Sequence, residues 1–222
     1  MAMELYWGSG SPFVWRVMLT LEVKGLDYRS KLLEFSKGEN KSPEYLKLNP
    51  RGKVPTLKDG DFVVYESLAI MTYLDRKYPT PPLFGTTAEE AGLIWRAISE
   101  CESYLVSAGD KVVRPVFFGK GLDKVDEIQQ AAQTIRQELK SLDERLNREY
   151  WLFGEQISAA DIAVFPLVQL LQRAASKEAA QPLHLGLLPL TQNYPNIAKW
   201  VQRIEALPNY QRTYPPHWRT QP

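Results

Sequence analysis

The sequence predicts an α/β domain followed by an all-helical one. Three observations carry that reading. The first 78 residues run strand–helix–strand and then hairpin–helix. A proline-rich break, Pro79-Thr80-Pro81-Pro82-Leu83-Phe84-Gly85, follows. Beyond it no segment reads as a strand, while apolar residues keep recurring at helical spacing. A chain of 222 residues is long enough for two modest domains. The expected boundaries are 1–78, a linker at 79–86, and 87–222.

Glu4 to Trp7 is short, aromatic and β-prone, and Gly8-Ser9-Gly10-Ser11-Pro12 breaks it. From Phe13 the apolar residues Phe13, Val14, Val17, Met18 and Leu21 fall at helical spacing, and Gly25 is a suitable stop. Ser11 stands where an N-cap belongs. Pro12 stands at the first helical position, where its missing N–H costs nothing. Asp27 to Leu33 reads as a second strand, so the opening is a parallel pair with a crossover helix. Ser36 to Asn49 is polar and reads as a loop with a short helix around Glu44 to Leu48. Val54 to Leu57 and Phe62 to Tyr65 are apolar runs flanking Asp59-Gly60, which predicts a tight hairpin turning at those two residues. Ser67 is the expected N-cap of a helix to Tyr78, with its start polar and exposed. This order of elements is that of a thioredoxin-like domain.

Past the linker, Thr87 to about Phe118 is helical in pattern, with a bend expected near Gly109 or Pro115. Asp123 to Tyr150 is amphipathic, with Val125, Ile128, Ala132, Ile135, Leu139, Leu142 and Leu146 on one stripe. Ile157-Ser158-Ala159-Ala160-Asp161-Ile162 has the spacing of a capping box with a hydrophobic staple, and it starts a buried helix. Another helix is expected from Pro195 to Leu207. The tail from Pro208 to Pro222 sets Tyr210, Tyr214, His217 and Trp218 among prolines and reads as either a cleft cover or a surface strap.

Composition narrows the function. Hydrophobic residues make up 44% of the chain, enough for a true core. A formal charge of +1 gives no bulk attraction to nucleic acid or to a membrane surface. No stretch approaches the roughly 20 apolar residues of a membrane span, and Met1-Ala2-Met3-Glu4-Leu5 lacks a basic, then apolar, leader. A cytoplasmic protein is expected. The single Cys101 permits no intrachain disulfide, and His184 and His217 with one cysteine give no metal-ligand spacing, so no metal is expected.

One stretch carries more than architecture: Asn49-Pro50-Arg51-Gly52-Lys53-Val54-Pro55-Thr56-Leu57, followed by Glu66-Ser67. It resembles the glutathione-binding half of cytosolic glutathione transferases, and Ser158-Ala159-Ala160-Asp161 resembles a segment of that family's helical domain. Ser11-Pro12-Phe13-Val14-Trp15-Arg16 is similar to the motif of its serine-type classes (zeta-, phi- or theta-like). The resemblance implies a cis Val54–Pro55 peptide, with the Val54 backbone holding the cysteinyl part of glutathione. It implies that Glu66 and Ser67 hold the γ-glutamyl end, and that Asn40, Lys41 and Lys53 meet the glycyl carboxylate. Ser11 is implied as the hydroxyl that hydrogen-bonds the thiolate, with Ser9 and then Tyr6 as alternatives. Glutathione would be a co-substrate, with no further cofactor. A small apolar electrophile would lie between the domains against Phe13, Tyr104, Val113, Phe117 or Trp218. The resemblance also implies a homodimer.

Two other functions fit the same residues. Zeta-type relatives isomerise substrates with glutathione, but they carry Ser-Ser-Cys where this chain has Gly-Ser-Pro. A non-catalytic binding module on the same fold is the alternative of a different class. Cysteine-type thiol transfer is disfavoured, because Ser11 stands where those relatives have a cysteine.

Overall fold

The computed structural model describes residues 2–119 and 121–219. The chain divides into two compact units, Met1–Leu83 with Ala206–Pro222, and Phe84–Glu205. The stretch after Ala206, expected to belong to the helical domain, therefore packs with the first unit. Its last three residues lie outside the described ones.

The first unit is thioredoxin-like. Strands β1 (Met3–Trp7), β2 (Tyr28–Leu32), β3 (Thr56–Asp59) and β4 (Phe62–Tyr65) form one sheet in the order β2-β1-β3-β4. β1 runs parallel to β2 and antiparallel to β3, and β3 pairs antiparallel with β4. Helix α1 (Pro12–Val23) makes the crossover between β1 and β2, α2 (Pro43–Leu48) lies in the loop before β3, and α3 (Ser67–Lys77) follows β4. Alternation along β1 sends Met3 and Leu5 into a core with Val14, Val17, Met18 and Leu21 of α1, Leu57 of β3, and Ile70 and Leu74 of α3.

Two local readings shift by one residue. The hairpin pairs Asp59 with Phe62, so the turn is Gly60-Asp61, with only Gly60 at positive φ (63°). Asp59 stays in the strand because its carboxylate accepts from Tyr73 Oη (2.9 Å) and from Lys77 Nζ on α3. Ser67 is the first residue of α3 rather than its cap. Glu66 precedes it with φ 69° and ψ 118°.

α1 is buried over every residue from Val14 to Leu21, more than one packed face explains. The tail supplies the second cover. There α10 (Tyr210–Thr213) and a 3₁₀ turn (Pro216–Trp218) bring aromatic rings against Trp15. Ring centroids lie 5.7 Å away at Tyr214 and 5.5 Å at Trp218, both edge-on. Trp15 Nε1 donates to Thr213 Oγ1 at 2.8 Å.

The second unit is all-helical: α4 (Ala88–Glu100), α5 (Ser107–Phe118), α6 (Val125–Leu146), α7 (Ala159–Ala175), α8 (Leu190–Asn193) and α9 (Pro195–Glu205). Thr87 and Glu90 close a capping box at the start of α4. The irregularity between α4 and α5 is a wide π turn at Cys101–Val106, upstream of the expected bend at Gly109 or Pro115. α7 is buried on most sides. Asp143 of α6 supplies the missing cap of α9, accepting from the N–H groups of Asn196 (2.8 Å) and Ile197 (2.9 Å). Among the described residues, no helix is long and apolar enough to cross a membrane.

Candidate active site

Strand register collects the expected site residues of the first unit. Trp7 at the end of β1 pairs with Leu32 at the end of β2, so the loops after both strands leave from one end of the sheet. Tyr6 pairs with Thr56, the first residue of β3, and Thr56 pairs with Tyr65, the last of β4. That same end therefore carries Ser9 to Phe13 after β1, Asn40 and Lys41 after β2, Lys53 to Pro55 before β3, and Glu66-Ser67 after β4. Ligands of open α/β sheets bind at such an end, outside the carboxyl ends of the parallel strands.

Ser11 is the N-cap of α1, and its Oγ accepts the Val14 N–H at 3.4 Å. A hydroxyl that accepts an N–H keeps its own proton to donate. Ser9 Oγ instead meets His217 Nδ1 at 2.6 Å. Tyr6 points elsewhere: its hydroxyl donates to Glu4 Oε2 at 3.1 Å. Burial, and then the Glu4 carboxylate, push its pKa above the ordinary phenol value.

The Val54–Pro55 peptide is cis, as expected. Its approach is held by Tyr45, which the sequence reading passed over, and by Asn49, which it quoted only as part of the motif. Tyr45, buried on α2, directs its hydroxyl to the Lys53 carbonyl and lies 2.9 Å from Thr56 Oγ1. Burial raises its pKa, so it remains a neutral phenol. Asn49 Nδ2 donates to the Lys53 carbonyl (2.8 Å) and to Thr56 Oγ1 (3.1 Å). The Lys53 side chain is exposed.

Asn40 and Lys41 are tied to the next turn. Asn40 Nδ2 donates to the Gly52 carbonyl at 2.8 Å, and Lys41 Nζ to the Arg51 carbonyl at 3.4 Å. Arg51 Nε lies 3.7 Å from the exposed Glu66 carboxylate, an ion pair of little energetic weight. Gly52 has φ 58°, and a Cβ there would lie 2.8 Å from the Asn40 carbonyl oxygen and 2.7 Å from Lys41 Nζ. Gly52→Ala combines a left-handed non-glycine with a backbone clash, so we expect a loss of about 2–3 kcal/mol in urea unfolding. The KM for glutathione should rise in the same variant. Wild-type stability would refute the strain.

The expected electrophile contacts fall in both units, Phe13 and Trp218 in the first and Tyr104, Val113 and Phe117 in the second. Phe13 is half-buried, with the Arg16 guanidinium 5.0 Å from its ring centroid. Val113 and Phe117 are half-buried and share one face of α5, four residues apart. Tyr104 does not join them: it is exposed and borders a groove of about 380 Å³ lined by polar groups including Ser107, Lys111, Glu127 and Gln130. Trp218 is buried against Trp15 within the first unit.

Comparison with known proteins shows the family of the chain. The model of the family's "Glutathione S-transferase, N-terminal domain" matches residues 1–76, and that of the C-terminal domain matches residues 110–208. Glutathione S-transferase A of Pleuronectes platessa is 30% identical, covering 99% of this chain and 94% of its own. The crystal structure of a glutathione S-transferase from the Antarctic clam Laternula elliptica superposes with a TM-score of 0.82 at 33% identity, over 99% of this chain and 94% of that one. A glutathione S-transferase-I structure bound with lactoylglutathione gives 0.77 at 27% identity, over 96% and 98%. The chain belongs to the glutathione S-transferase family. It is an enzyme of that family, a glutathione S-transferase with a thioredoxin-like domain and a helical one.

Proposed function

We propose that this enzyme is of the serine type, conjugating the glutathione thiolate to small apolar electrophiles with Ser11 as the hydroxyl donor to sulfur. The observation that supports the reading is the strand register, which sets the loops carrying Ser11, Val54–Pro55 and Glu66-Ser67 at the same end of the sheet, with the Ser11 hydroxyl accepting the Val14 N–H and keeping its own proton. The Val54 backbone would pair with the cysteinyl part of glutathione. Ser67, with the first N–H groups of α3, would take the γ-glutamyl carboxylate and Glu66 the amine. Asn40, Lys41 and Lys53 would meet the glycyl carboxylate. Phe13, half-buried beside the Ser11 loop, is the apolar side chain of the first unit proposed for the electrophile. No metal or further cofactor enters this reading, and a homodimer follows only from family membership.

Ionising the thiol is a small part of the chemistry. A free thiol of pKa about 8.5 is roughly 3% ionised at pH 7, and lowering the pKa by about two units raises that about 25-fold. The thiolate then loses about six- to tenfold in intrinsic nucleophilicity. The net gain is about threefold, so the larger share of the rate comes from orientation and from charge stabilisation in the transition state.

The test is the ultraviolet thiolate absorbance of bound glutathione against pH. Ser11→Ala should return the thiol pKa towards about 8.5 and lower kcat at pH 7 by at least about threefold, the net gain from ionisation, with any further loss measuring how far the hydroxyl orients the sulfur. A low thiol pKa unchanged by the substitution moves the role off Ser11.

A further inference from the structure

His217 comes from the far end of the chain, 208 positions from Ser9, yet its Nδ1 lies 2.6 Å from Ser9 Oγ. The contact is anchored on both sides. Trp218, next in sequence, packs edge-on to Trp15 of α1, and Thr213 accepts the Trp15 indole N–H. On the loop side the ring sits directly over Gly10, where a Cβ would lie 2.7 Å from His217 Cε1. A side chain at position 10 would push the imidazole away.

A hydroxyl has one proton to give. If Nδ1 accepts that proton, Ser9 offers nothing to an anion beside it. If Nδ1–H donates to Ser9 Oγ, the Ser9 proton is released to point outward. An anion next to the loop favours the second arrangement, because only then does it gain a hydrogen bond. It is also the arrangement an imidazolium must adopt, since both ring nitrogens then carry protons. Ser11 shows the same pattern in simpler form: its Oγ takes the Val14 N–H and keeps its own proton.

We propose that His217 is a positioning residue for the thiolate: by donating Nδ1–H to Ser9, it turns the Ser9 hydroxyl outward as a second donor to the glutathione sulfur, beside Ser11. The inference rests on the transferase reading above and deepens it. The site then has two hydroxyl donors, one oriented by the helix N-terminus and one by the C-terminal tail. No bond is made or broken by His217; its proton stays on the ring.

The test uses four variants of the full chain: His217→Phe, which keeps a ring over Gly10 without a donor; His217→Asn, whose amide N–H replaces Nδ1–H; Ser9→Ala; and the double variant Ser9→Ala/His217→Phe. For each, kcat, the KM for glutathione and the thiolate absorbance against pH are measured. His217→Phe should raise the bound thiol pKa by about half a unit to one unit. Its kcat at pH 7 should fall by no more than about threefold, because lost ionisation is offset by higher nucleophilicity, with KM changed by less than about twofold. Ser9→Ala should match that pKa rise, the double variant should show no larger a rise than either single one, and His217→Asn should return most of the way to the wild-type thiol pKa. A His217→Phe protein with unchanged thiol pKa, or pKa rises that add in the double variant, would overturn the proposal. A wild-type protein that forms no bound thiolate would overturn the transferase reading itself, an outcome separate from a thiolate indifferent to His217.

Discussion

Asp161→Ala should cost the second unit about 4 kcal/mol or more in unfolding free energy, since three buried N–H donors lose their acceptor at about 1–3 kcal/mol each. The carboxylate is fully buried at the start of α7 and accepts four hydrogen bonds. Oδ1 takes the Leu152 N–H and Trp200 Nε1–H, both at 2.9 Å, and Oδ2 takes the Ser158 N–H (2.9 Å) and hydroxyl (2.8 Å). One side chain thereby joins the loop before α7, the cap of α7 and the buried indole of α9. Burial holds its pKa above the ordinary carboxylate value in spite of these four donors. The charge itself is thus a cost to folding, and what the alanine removes is the acceptor.

The isosteric Asp161→Asn separates the two. Its oxygen can keep Leu152 and Trp200, while its amide N–H group faces the Ser158 N–H. About half the alanine effect is expected, or roughly 2 kcal/mol for one stranded donor. The sign of the pH dependence follows from the raised pKa. The folded state holds the proton more tightly than the unfolded chain, so this group's contribution is greatest below about pH 4 and is lost as pH rises through the folded value. Urea unfolding against pH should show that decline in wild type and not in Asp161→Asn. Equal stability of wild type and Asp161→Ala at neutral pH would mean that the loop and α9 do not depend on this carboxylate.

Local chemistry made part of this legible. Ser158 and Asp161 stand three residues apart, and the capping reading needs nothing else. The same holds for Ser11-Pro12, for the apolar alternation in β1, and for the Asn49 to Leu57 motif with its cis proline. Several failures share one cause, a partner distant in sequence. The hairpin turn slipped to Gly60-Asp61 because Asp59 is held by Tyr73 and Lys77, 14 and 18 residues on. Trp200 as a partner of Asp161, 39 residues away, carries no local signal. Asn49 stood within the recognised motif, but its grip on Lys53 and Thr56 shows only in the fold. His217 stood in a tail read as a cleft cover or a surface strap, but nothing in Pro215-Pro216-His217-Trp218 says which loop the imidazole will meet. The tail's placement on α1 explains burial beyond the predicted apolar stripe. Trp15 and Arg16 fall outside the predicted apolar stripe, yet both are buried.

Lys24→Met should destabilise the protein by about 3–5 kcal/mol, the scale of breaking a buried ion pair from one side. Lys24 follows the last turn of α1, and its side chain is wholly buried. Its Nζ lies 2.6 Å from the Tyr78 carbonyl, 2.7 Å from the Pro81 carbonyl and 2.9 Å from Asp75 Oδ1. The same Asp75 oxygen accepts the Leu83 N–H at 2.8 Å. The ammonium thus satisfies a carbonyl just past the end of α3 and one in the proline-rich segment, and it neutralises the carboxylate that holds Leu83. Methionine keeps the stem's packing but strands two carbonyls and a buried charge. Asp75→Leu alone should cost a similar amount, because it leaves the lysine charge buried and the Leu83 N–H unpaired. Lys24→Met/Asp75→Leu removes both charges, so its loss should fall short of the sum of the single losses by more than about 1 kcal/mol. The exposed pair Arg114–Asp110 on α5 is the control: Arg114→Met should unfold at the wild-type midpoint, because solvent already screens that contact. Strict additivity at Lys24 and Asp75 would show instead that each side chain acts through its backbone partners, with the charge pair itself contributing nothing.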